Sequence, residues 1–86
     1  MDERIKERVE KDMTLFYKSI KELDKVPHWQ EDKKIAYIVK LSDMYAKDAK
    51  SYMEKNDLCT AFSCISYAHG LLDAVKEITG VGIEGA

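Results

Sequence analysis

Residues 58–79 read LCTAFSCISYAHGLLDAVKEIT. From Leu58 to Val75 there is no Lys, Arg or Glu, and His69 and Asp73 are the only side chains that bring charge. No Pro interrupts the stretch, so it reads as one helix from about Leu58 to Thr79. On a helical wheel Ala61, Phe62, Cys64, Ile65, Tyr67, Ala68, Leu71, Leu72, Val75 and Ile78 cover an arc of roughly 220°. A helix in a three-helix bundle normally buries a narrower arc than this. The remaining face carries Cys59, Ser63, Ser66, Gly70, Asp73 and Ala74. Ser66, Gly70 and Ala74 follow one another at steps of four, a spacing that lets another backbone approach closely. The stretch therefore predicts a central helix with apolar surface to spare. That surface is a solvated small-residue face, a contact with a second chain at Ser66, Tyr67, Gly70, Asp73 and Ala74, or a small-molecule groove.

Upstream, Asn56 and Asp57 mark a break: Asn tolerates the left-handed conformation that ends helices, and Asp is a good N-cap. A connection so short makes the flanking helices an antiparallel hairpin. The helix before it places Ile35, Ile38, Val39, Ser42, Tyr45, Ala46, Ala49, Tyr52 and Met53 on one face, widened by Tyr37, Leu41 and Met44. Its start is expected at Pro27-His28-Trp29, because Pro suits a first helical turn, with Glu31 and Asp32 at the positive end of the dipole. A first helix from about Asp2 to Asp24 carries Ile5, Val9, Phe16, Ile20 and Leu23, with Met13 at the edge. This stripe is narrow, about 80° wide, like a coiled-coil seam. The expectation is a single helical domain over 1–86, with helices at about 2–24, 28–55 and 57–79 and a flexible tail at 80–86.

Composition agrees. A chain of 86 residues makes one domain and buries about 60–65% of its extended surface, so its core is thin. Hydrophobic residues are 45% and charged residues 35%, a globular balance. There is one Pro, and three of the four Gly fall in the last seven residues. The net charge of -2 predicts no bulk attraction to nucleic acid or to an anionic membrane. The charged start MDERIKERVEKD is neither a signal nor a transit peptide, and no apolar run approaches the roughly 20 residues of a membrane span. Cys59 and Cys64 are five apart on one helix, roughly 8–9 Å between Cα atoms, too far for a disulfide. A reduced, cytoplasmic protein is expected.

Six constellations bear on working chemistry. Glu7-x-x-Glu10 and Glu54-x-x-Asp57 have the spacing of the carboxylate pairs that hold Mg²⁺ in helical nucleotide pyrophosphohydrolases, but they lie off the apolar seam and at a turn. His69 precedes Asp73 by one turn, so the two can hydrogen-bond, yet no nucleophile stands at the far nitrogen. His28, His69 and two split cysteines do not supply a zinc site. Arg4 and Arg8 are too far from either histidine for the Arg-His pairing of toxin-type ribonucleases. Lys33, Lys40 and Lys47 recur every seven residues with Lys50 beside them, a row able to track phosphates that Asp43 and Glu54 interrupt. Tyr37, Tyr45, Tyr52 and Tyr67 read as core-edge residues whose hydroxyls reach water.

The stretch from Ser51 to Ala74, SYMEKNDLCTAFSCISYAHGLLDA, resembles the short archaeal proteins grouped as domain-of-unknown-function family 357. Asp57, Ala61, Tyr67, Ala68, Gly70, Leu72, Asp73 and Ala74 carry the resemblance. It implies a helical, cytoplasmic, archaeal protein without an assigned activity and brings no catalytic residues. The reading as a whole is an all-α, three-helix antiparallel bundle serving as a non-enzymatic interaction module. It is expected to associate with itself or with a protein partner, without cofactor or metal, and without nucleic acid or membrane. The alternative is a nucleotide- or nucleic-acid-associated accessory domain using Lys33, Lys40, Lys47 and Lys50.

Overall fold

The computed structural model describes residues 2–80; the tail expected to be flexible lies, beyond Gly80, outside the described residues. Three helices form: α1 (Asp2–Glu22), α2 (Lys33–Glu54) and α3 (Leu58–Thr79). Their buried positions follow one rule. In α3 these are Leu58, Ala61, Ile65, Ala68, Leu72 and Val75, alternating steps of three and four. In α2 they are Val39, Ser42, Ala46 and Ala49; in α1 they are Val9 and Phe16, and Leu23, just past its end, keeps the same step of seven. This is the heptad period of helices that bury one seam along their length. Ile5, Met13, Ile20, Ile35, Ile38 and Trp29 close the core at its edges.

Helix α3 stands between the other two, and α1 and α2 meet only sparsely. The seam between α2 and α3 is built largely of Ala and Ser, so these two helices come close. The large buried side chains are Phe16 and Leu23 from the α1 side and Ile65 and Leu72 on α3. The Ser42 hydroxyl, buried in the first seam, donates to the Val39 carbonyl at 2.7 Å and so carries no unpaired polar atom into the core. The chain runs up, down and up: Lys76 meets Glu22 near the ends of α3 and α1, and Arg8 lies over Phe62 near their starts. The Cα trace measures 41 × 26 × 15 Å, a long and flattened body.

The start of α2 differs from the expectation at residue 28. Pro27 opens a turn rather than a helix, His28 adopts a left-handed conformation with φ 61°, and Trp29–Glu31 make one 3₁₀ turn. Asp32 is then the N-cap, accepting from the backbone N–H groups of Lys34 at 3.0 Å and Ile35 at 3.1 Å. The two acids read as first-turn dipole partners thus divide: Asp32 caps, and Glu31 faces His28 at 3.3 Å. Asp32→Ala leaves those donors without an acceptor and is expected to cost about 1 kcal/mol, read as a shift in the urea midpoint. A second 3₁₀ turn, Leu23–Lys25, ends α1 two residues earlier than the predicted Asp24.

The other boundaries fall within one residue of expectation. Asn56 takes φ 63°, and Asp57 accepts from the Thr60 N–H at 3.3 Å to cap α3. Gly80 ends α3 with φ 81°, where a side chain would be strained. By length and composition α3 is apolar enough to cross a membrane, with a mean hydropathy of 1.3 over 18 residues, which the absence of an unbroken apolar run had concealed. Only 33% of that window is buried within the fold.

Candidate functional site: the outer face of helix α3

The surplus apolar arc of α3 is real. Phe62, Tyr67 and Ile78 are exposed large hydrophobics, the last at 68%. The five residues singled out for a contact, Ser66, Tyr67, Gly70, Asp73 and Ala74, are all exposed. An added Cβ at Gly70 would meet nothing within 4 Å. Tyr67 leans on Tyr45 of α2, ring centroids 4.6 Å apart, and this pair sets the register of the antiparallel hairpin. With Tyr45 level with Tyr67, Tyr37 of α2 stands level with the last turns of α3. Tyr37 is 65% exposed and Met44 53%, seven residues apart on one side of α2. These two side chains add exposed apolar area on α2. Of the four tyrosines read as core-edge residues, Tyr45 and Tyr52 are half-buried as expected, whereas Tyr37 and Tyr67 belong to this exposed surface.

The chemistry weighed from sequence disperses. His69 does not pair with Asp73: its Nε2 donates to the backbone carbonyl of Asp12 at 2.7 Å, and its ring meets Phe16 edge-on at 5.7 Å. It is a clasp between α3 and α1, and Asp73 stays in solvent. Among the described residues no three His, Cys, Asp or Glu side chains gather as metal ligands, so Glu7, Glu10, Glu54 and Asp57 do not converge. Lys33, Lys40, Lys47 and Lys50 are exposed, and the Lys47 ammonium is held by Asp43 at 3.0 Å, which raises its pKa. Asp43 also accepts from the Tyr17 hydroxyl at 3.3 Å; burial first, and the Asp43 charge second, push the Tyr17 pKa up. Burial likewise pushes the Cys64 thiol up, while Cys59 is exposed.

The Glu22–Lys76 pair, at 3.1 Å, ties the far end of α3 to α1. The hydrogen bond from Lys76, then its charge, lowers the Glu22 pKa. A lowered carboxylate pKa gives stability that is present above the unfolded value and lost as pH falls through the folded one. Glu22→Gln is therefore expected to lower the melting temperature near neutral pH. The difference from wild type should vanish in melts below the carboxylate range.

One feature escaped the sequence reading. Arg4, Ile5 and Arg8 of α1 and Cys59, Phe62 and Ser63 of α3 line a groove of about 450 Å³ between the starts of these helices. Arg4 and Arg8 one turn apart were its only sequence signal; the opposing wall comes some fifty residues later.

A heptad-packed, all-α three-helix protein with an apolar outer face is the class that fold and surface define. Within that class, the chain belongs to the family described as Protein of unknown function (DUF357), whose match covers residues 11–81. No curated protein and no solved structure matches the chain.

Proposed function

We propose that this protein is a non-catalytic, cytoplasmic assembly module whose outer α3 face binds a second copy of the chain. The observation that carries the reading is Gly70. Mid-helix Gly costs about 0.5–1 kcal/mol relative to Ala. Nothing in the monomer explains it, since φ is ordinary and a Cβ would enter open space. A partner helix packed closely over Ser66, Gly70 and Ala74 gives the position a reason.

Area supports the same face. Tyr67 and Ile78, 54% and 68% exposed, flank the small-residue stripe on α3 and offer apolar area for a partner to cover. Two-fold pairing places each Gly70 near the two-fold axis, where both backbones need room. Asp73 lies at the polar rim. Sedimentation velocity across a concentration series tests the reading: a monomer–dimer equilibrium supports it, and a monomer throughout removes it.

A further inference from the structure

We propose that the groove between the starts of α1 and α3 binds a small amphiphilic monocarboxylate. Its volume of about 450 Å³ lies within the roughly 300–1,000 Å³ of small-ligand sites. Ile5 and the exposed Phe62 make its body apolar. Both arginines of a chain with net charge -2 line it, one helical turn apart. A guanidinium fork fits a carboxylate edge-on through two parallel N–H donors.

The geometry leaves those donors in place. Arg8 uses Nε toward Asp12, at 3.2 and 3.3 Å to the two carboxylate oxygens, and its guanidinium stands 5.8 Å from the Phe62 ring centroid. Its Nη groups make no hydrogen bond among the described residues. The Ser63 hydroxyl is committed to the Cys59 carbonyl at 3.2 Å, so the guanidiniums are the site's charged donors. The lining holds two guanidiniums and no carboxylate, a charge that suits an anionic headgroup.

This site is independent of the self-association face and is tested on dilute protein. Octanoate is the probe, followed by amide chemical shifts, with octan-1-ol, octylammonium and inorganic phosphate as comparisons. Saturable shifts confined to residues 4–8 and 59–63 are expected, with a Kd of about millimolar or tighter. Octan-1-ol should bind about tenfold more weakly, and so should octanoate to the Arg4→Gln/Arg8→Gln double variant. Ser63→Trp, which fills the groove from an exposed position, should abolish the shifts while the melting temperature is kept. The proposal is overturned if octanoate gives no saturable shift. It is equally overturned if octan-1-ol or phosphate matches octanoate, or if the folded double variant binds like wild type.

Discussion

Ile65→Ala and Leu72→Ala each lower the free energy of unfolding by about 2–5 kcal/mol. Both side chains are fully buried on the central helix, one heptad apart, where the seams toward α1 and α2 join. Each truncation removes transfer energy and leaves a void that rigid heptad packing cannot close. A domain of this length has only about 4–13 kcal/mol in total at 0.05–0.15 kcal/mol per residue. Either change therefore removes a large fraction of it. Urea midpoints give the result directly; unchanged midpoints for both variants would show that the buried phase of α3 has been misassigned.

On the proposed self-association, Gly70→Arg is expected to leave the monomer folded and to abolish dimer formation. The open space around Gly70 accepts a long side chain, and Arg is the better helix former by nearly 1 kcal/mol, so the variant monomer should melt no lower than the wild-type monomer. At a two-fold interface each copy contributes the same substitution, so two guanidiniums meet where two backbones had been in contact. Sedimentation of wild type and variant at matched concentration separates the outcomes. A dimer unaffected by the substitution places the interface elsewhere on the molecule. A wild type that never dimerises ends the self-association reading altogether.

The heptad seams were legible because each helix carries its own period, and a period needs no knowledge of neighbours. Ile65, Leu72, Phe16 and Ala46 could be assigned to the core from spacing alone. The start of α2 was not legible. Pro27 satisfies the rule for a first helical turn, and the sequence holds no sign that His28 turns left-handed and passes the capping role to Asp32. His69 failed for a different reason. Its local partner, Asp73, is one turn away, but its actual partner is a backbone carbonyl on α1, 57 residues earlier, and every residue type presents a carbonyl. The arginine groove was hidden likewise, because its two walls meet only through the relative register of α1 and α3. The exposed α3 face was readable because excess apolar arc is a property of one helix.

The uneven seams have a kinetic consequence. Helices α2 and α3 are joined by three residues and meet through small side chains, so their contacts close a short loop at little entropic cost. Helix α1 joins through the ten residues 23–32 and touches chiefly α3, through contacts some fifty residues distant. The hairpin is the part able to form early, and α1 completes the core by docking its Val9, Phe16 and Leu23 onto a surface already in place. In the native state the order reverses. Where α1 detaches as a unit, its amides are expected to exchange with solvent ahead of those along the α2–α3 seam, which hydrogen exchange reads residue by residue.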